Sequence, residues 1–250
     1  MSAEETGKTG GPEPTQTPDP GPDPAPAPGA DPEARGLRLV VVLLALTVVS
    51  GLIDAVSYLG LEHVFTANMT GNIVVLGFAA AGAPGFSVSH TLTSLATFLV
   101  GAVAGGRIAL RLGERSRRTW TRLSLAAEAV LVGAAAVIAF ATPDTGATVY
   151  AVIAVTAFAM GLRNATVRKL GVPALTTTTV VTMTLTGLAG DSPAAGGNGH
   201  HSLRRASLVT AMFAGALLGA WLVLDHGLGI PLLVAAGIVG VLAVVTSGRE

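Results

Sequence analysis

Apolar and polar positions in this chain separate into long blocks rather than alternating. From Leu37 an apolar run extends over residues 37–61, enough for a bilayer core of roughly 30 Å, which takes about 20 helical residues. Further apolar runs cover residues 90–112, 123–142, 147–162, 206–224 and 230–246. The pattern predicts six spanning helices. The run at 147–162 holds only 16 residues, and needs its neighbouring loop or a thinner bilayer to cross.

Two stretches, 64–82 and 172–190, are mixed. Each opens polar and closes apolar: Thr66-Ala67-Asn68-Met69-Thr70-Gly71-Asn72 precedes one apolar run, and Thr176 to Thr179 precede the other. Basic residues decide how to count them, because Lys and Arg gather on the cytoplasmic side of short loops. If both stretches cross, giving eight full spans in two parallel repeats, a large block of arginines falls outside in either orientation. If both dip in and return, all 15 Lys and Arg residues fall on the cytoplasmic side. The six-span arrangement is preferred, with both termini cytoplasmic in a plasma membrane.

The chain also echoes itself. Gly51-Leu52-Ile53-Asp54-Ala55 matches Gly161-Leu162-Arg163-Asn164-Ala165, Thr66-x-x-Met69-Thr70 matches Thr178-x-x-Val181-Thr182, and Gly101-x-x-x-Gly105 matches Gly215-x-x-x-Gly219. The offsets are 110, 112 and 114 residues, in preserved order. Each half, 37–142 and 143–250, then holds three spans and one re-entrant half-helix. An odd number of spans inverts the second half relative to the first, an organisation common among secondary transporters. The expected fold is an all-α polytopic membrane protein of two inverted repeats.

Composition narrows the function classes. Charged residues are 12% of the chain, about half the usual share, and mean hydropathy is +0.64. Residues 1–36 are rich in Pro, Gly, Ala and acids, too poor in apolar side chains to offset ordering entropy, and are expected to be a disordered cytoplasmic tail. The dispersed arginines offer no basic face for nucleic acid. Without cysteine, disulfides and thiolate chemistry are excluded, and the five histidines show no metal-ligand spacing. No metal, cofactor or enzymatic activity is expected; Ser50, Ser57 and Ser94 lack a nucleophile setting.

The strings Ser50-Gly51-Leu52-Ile53-Asp54-Ala55-Val56-Ser57-Tyr58-Leu59 and Val64-Phe65-Thr66-Ala67-Asn68-Met69-Thr70-Gly71-Asn72-Ile73-Val74 resemble the opening signature of the YoaK (DUF1275) family. The similarity continues through Met160-Gly161-Leu162-Arg163-Asn164-Ala165 and the threonine run, covering roughly residues 37–247. The resemblance implies a small bacterial membrane protein of uncharacterised function. One position departs from it: the family pattern often has Gln before the Asn, where this chain has Arg163.

Candidate site residues follow from polarity at membrane depth. Asn68, Thr70 and Asn72 would line a re-entrant segment whose half-helix dipole favours an anionic group. Thr178 and Thr182, with Thr179 and Thr184, would form the related lining in the second half. The competing reading makes these groups helix caps and interhelical glue. Asp54 lies ~17 residues, or about 25 Å, along the first helix, and an intramembrane carboxylate is a candidate proton or cation site. Asn164 is its neutral counterpart. Glu128 is a candidate partner for an arginine near the cytoplasmic end of its helix. Gly101/Gly105 and Gly215/Gly219 are packing faces. The leading functional expectation is a transporter or channel for a small molecule or ion, with the lipid bilayer and a homo-oligomer as partners. The alternatives are a structural or regulatory membrane protein without substrate, then an intramembrane enzyme.

Overall fold

The structure, a computed structural model, describes residues 32–112, 117–142, 145–170, 177–197 and 202–246. Eight α-helices form among the described residues: α1 (Pro32–Gly60), α2 (Met69–Ala80), α3 (Val88–Leu112), α4 (Arg117–Ala141), α5 (Gly146–Leu170), α6 (Thr177–Gly190), α7 (Ser202–His226) and α8 (Gly229–Val245). Five contain stretches long and apolar enough to cross a membrane: Val40–Gly60, Val88–Arg111, Thr119–Ala141, Gly146–Lys169 and Arg205–His226. At 17 residues α8 is shorter, about 25 Å long. The chain is a polytopic α-helical membrane protein.

Two boundaries differ from the hydropathy pattern. The expected tail lies outside the described residues up to position 31, but residues 32–36 already belong to α1. Pro32 stands at the first helical position, where its fixed φ and missing N–H cost nothing. More consequentially, α5 runs to Leu170 rather than ending at Leu162. The apolar run stops at Arg163 because that side chain is charged, yet Arg163 is only 4% exposed. It is therefore an interior residue of α5 and not part of a basic cytoplasmic loop. The short fourth span is thereby a full 25-residue helix.

The core is built from α1, α4, α5 and α8, which contribute Val49 and Leu52, Val132 and Ala135, Val152 and Ile153, and Leu232 and Val239. Helices α3 and α7 flank this core, α3 on α5 and α7 on α1. Their outward positions, among them Leu99, Val103, Phe213, Leu217 and Trp221, are exposed and apolar, as a lipid-facing surface requires.

Small residues set these two flanking contacts, and the same positions do so in each half. A Cβ on Gly101 would collide with the Phe158 carbonyl, and one on Gly161 with the Phe98 carbonyl. In the other pair, a Cβ on Gly215 would meet the Val48 carbonyl and one on Gly51 the Met212 carbonyl. Phe158 and Val48 are 110 residues apart, and Phe98 and Met212 are 114 apart, the offsets of the sequence echo. Backbones thus approach closely enough for dispersion to hold helices together without a hydrophobic driving force between them. The short helices correspond as well, α2 packing on α3 and α6 on α7.

With 12 residues, α2 is about 18 Å long and cannot cross the ~30 Å hydrocarbon core. Its first turn lies beside Ser94, about 9 Å along α3 from Val88. Its last turn returns to the start of α3, where the Phe78 and Phe86 rings are 5.5 Å apart. Residues 64–82 therefore enter the bundle and come back on the same side of it. The matching stretch 172–190 is described only from Thr177, with the rest outside the described residues.

Candidate functional site

The loop between α1 and α2 is held by its own polar groups. Glu62 and His63 both take φ of 59°, a left-handed conformation that non-glycine residues adopt at a cost of about 1–3 kcal/mol each. They reverse the chain as it leaves α1. His63 Nδ1 lies 3.0 Å from the Gly85 carbonyl oxygen, and the Tyr58 ring contacts both His63 and Phe65. The sharp turn sends residues 64–68 back down alongside α1.

Two asparagines then fix the entry to α2. Asn68 is its N-cap, with Oδ1 accepting from the Gly71 amide at 2.9 Å. Asn72, fully buried, accepts from the Phe65 amide at 2.9 Å and donates to the Phe65 carbonyl at 2.6 Å. It also donates to Ser94 Oγ at 3.1 Å, while Ser94 donates to the same Phe65 carbonyl at 2.7 Å. The polar atoms of Asn72 are thus spent on its own segment and on α3. Thr70 is exposed on the outer side of α2.

The other sequence-derived candidates are scattered. Asn164 is half-buried and donates to the Met160 carbonyl of its own helix at 2.9 Å. Thr182 is exposed, whereas Thr184 is buried. The side chains of Thr178 and Thr179 lie outside the described residues.

What the fold does bring together is a buried polar ladder between α1, α4 and α5. Arg163 Nη1 donates to Glu128 Oε1 at 3.0 Å, with the two side chains 4% and 0% exposed. Its Nη2 donates to the Leu46 carbonyl at 3.2 Å and to the Ser50 hydroxyl. Asp54 stands one turn beyond Ser50 on α1, 8% exposed, within Coulombic reach of Arg163 and beside the backbone amide of Ala67. One turn from Glu128 in the other direction, Ser124 donates to Thr166 at 3.0 Å. Each rung is a helical turn from the next, because residues three or four apart share a helix face.

The ladder is incompletely satisfied. Asp54 Oδ1, Glu128 Oε2 and Thr66 Oγ1 are buried without a hydrogen-bond partner, although such groups are ordinarily paired. Glu128 was a candidate for pairing with an arginine, and the partner is Arg163, from the other half of the chain. Arg163 and Ser50 themselves were missed as site residues. A usable signal existed: the echo aligns Arg163 with Ile53, itself 1% exposed, so the alignment placed an arginine at a core register.

At the end of the bundle where α1, α4 and α7 finish and α5 and α8 begin, a cleft of about 710 Å³ opens between Gly60, Phe140, Thr148, Val223 and Leu228. The Thr142 and Thr145 hydroxyls each lie 2.7 Å from that of Thr148 at its edge. Its wall thus combines apolar surface with a cluster of hydroxyls bonded to one another.

Comparison with known proteins agrees with a membrane protein. The family model described as "Protein of unknown function (DUF1275)" matches residues 42–245. The UPF0700 transmembrane protein YoaK of Bacillus subtilis (strain 168) is 35% identical over 152 residues, which is 60% of this chain and 64% of that protein. No solved structure matches. A chain whose loop motif and internal polar residues fall within the matched region, with all its helices but the first ten residues of α1, belongs to the DUF1275 family of membrane proteins.

Proposed function

We propose that this protein carries a small polar solute or ion across the bacterial plasma membrane and is not an enzyme. The observation that carries the reading is the Asp54–Ser50–Arg163–Glu128 ladder, buried in the middle of the bundle with carboxylate oxygens left unpaired. Ionisable groups at membrane depth are costly and otherwise avoided, so they concentrate where a protein handles charge or polar cargo. The terminal cleft gives cargo an entry, and the matched glycine contacts of the two halves fit inverted repeats rocking about the shared core. Both termini are assigned to the cytoplasm on the positive-inside rule.

A second reading, a structural or regulatory protein without a substrate, draws on Asn68 and Asn72. Their side chains serve the loop and α3 rather than a cavity, as interhelical glue does.

The readings separate in whole cells. Uptake and efflux of a panel of labelled amino acids, sugars and inorganic ions would be compared between deletion and overexpression strains. Transport requires at least one flux that follows expression and falls at least tenfold in Arg163→Gln at equal folded yield. A flux that follows expression but ignores Arg163→Gln would remove the ladder from the mechanism. No flux following expression across the panel would favour the substrate-free reading.

A further inference from the structure

We propose that the Asp54–Arg163–Glu128 cluster binds one exchangeable proton, held on Asp54 while Arg163 is paired with Glu128. The proposal deepens the transport reading and rests on it for the use of the proton, as coupling ion.

The case begins with a charge count. Two carboxylates face one guanidinium inside the bundle, leaving one negative charge in excess among buried side chains. An uncompensated charge in such surroundings is far too costly to stand, and the site must recruit a positive charge. Among the described side chains no neighbouring element supplies one. On α1 the next titratable residues are Tyr58 and, in the opposite direction, Arg38, about 24 Å back along the helix, with Arg35 and Glu33 beyond it; the loop after α1 carries Glu62 and His63 at the exposed end. Helix α2 has no titratable residue, and α8 has none either. On α3 the nearest are His90 and Arg107, toward its two ends, and on α7 the charged or titratable residues are Arg204, Arg205, Asp225 and His226, again at the ends. Helix α5 offers Arg163 and then Arg168 and Lys169 in its last turn, and Tyr150 near its start. Helix α4 offers Glu128 and the arginines of its first turns.

The missing charge is a proton rather than a metal ion. Two unpaired carboxylate oxygens and the Thr66 hydroxyl are fewer than the six or so oxygens a hard cation takes in exchange for its water. A proton needs one oxygen. Glu128 already binds Arg163 at 3.0 Å, so the oxygen that can take it is Oδ1 of Asp54, which lacks a partner. Binding converts the Asp54 carboxylate to the neutral acid, forming an O–H bond with a proton taken from water, and release returns that proton to water.

Release has a built-in consequence. Once ionised, Asp54 competes with Glu128 for Arg163, whose Nη2 already reaches Ser50, one turn away on the same helix. The guanidinium links the proton to the contact between α5 and α1, which come from different halves of the chain.

The count can be read directly. Purified full-length protein in lipid nanodiscs at neutral pH is examined by infrared difference spectroscopy in H₂O and D₂O, reporting protonated carboxylic acids by their carbonyl stretch. The cluster predicts one such acid in the native protein, none in Asp54→Asn, and one in Asp54→Glu, which keeps the acid if Asp54→Asn folds poorly. Glu128→Gln leaves Arg163 to Asp54 and should also show none. Arg163→Gln leaves two carboxylates without a cation and should show two. A native protein with no protonated acid, or an acid that survives Asp54→Asn, overturns the proposal. Either result leaves any measured solute flux standing, and a panel without flux leaves the proton count standing, so the two readings fail separately.

Discussion

The guanidinium of Arg163 sits 3.0 Å from Glu128, both buried, at the place where the first half of the chain carries Ile53. An apolar core residue in one half is thus replaced by a charged one in the other, and the charge is met by a residue of the opposite half. Breaking one partner of a buried pair costs about 3–5 kcal/mol because the survivor stays charged and unpaired. Here Asp54 is a reserve partner, so single losses should be milder than the double loss. Asp54→Asn and Glu128→Gln together should lower stability by about 3–5 kcal/mol, more than the sum of the two singles. Melting midpoints from fluorescence-detected gel filtration of the four proteins would decide it; additive losses would mean Asp54 and Glu128 do not share Arg163.

Asn72 makes the opposite case, a polar residue whose bonds are local. Asn72→Ala strands the Phe65 amide, while Ser94 still donates to the Phe65 carbonyl, an effect of about 1–3 kcal/mol for the unsatisfied group. Asn68→Ala removes a helix cap at about 1 kcal/mol, and Thr70→Ala, at an exposed position, should be neutral. The expected order of thermal stability is therefore native, equal to Thr70→Ala, above Asn68→Ala, above Asn72→Ala. A lost flux in Thr70→Ala at unchanged stability would restore a cargo role to this segment.

Much of this architecture is legible in the sequence itself. Apolar blocks of about 20 residues have few options in a bilayer, which made the helices readable, and the glycines of the echo were readable as close contacts because only small residues permit them. The ladder was not, for a physical reason. Hydropathy reads an arginine as the end of a helix, while α5 continues past Arg163 because Glu128, Ser50 and the Leu46 carbonyl accept its hydrogen bonds. The compensation is contributed by helices remote in sequence, which no local window can see. Asn68 and Asn72 misdirect in the reverse sense: exposed polarity in the sequence becomes closed hydrogen bonding once residues 65 and 72 are folded together.

The glycine contacts give a test of the paired packing itself. Gly161→Ala places a methyl group against the Phe98 carbonyl, and Gly51→Ala places one against that of Met212. Relief requires the helices to move apart, costing about 1–3 kcal/mol by analogy with overpacked cores. Gly237 on α8 has nothing within 4 Å of an added Cβ, so Gly237→Ala should gain up to about 1 kcal/mol of helix propensity. Folded yield and melting midpoint should fall alike for Gly51 and Gly161 and rise or hold for Gly237. Unequal losses at the first two positions would break the equivalence of the halves.

Topology is the remaining prediction, and the lack of native cysteine makes it clean. A chain that enters beside Asp54 and returns at Gly85 keeps Gly85 on the same side as the C-terminal end of α1, because His63 contacts the Gly85 carbonyl. The cleft gathers the ends of α1, α4 and α7 with the starts of α5 and α8, which puts Thr142, Thr145 and Asp225 on that side too. With Arg111 in the last turn of α3, Arg122 near the start of α4, and Arg168 and Lys169 ending α5, the positive-inside rule assigns those ends to the cytoplasm. Single cysteines at Gly85, Asp144 and Asp225 should therefore react with an impermeant maleimide added to intact cells, and those at Ser116 and Gly197 only after lysis. Labelling of Ser116 in intact cells would mean that residues 64–82 cross the membrane, which their 12-residue helix and its return to Phe86 argue against.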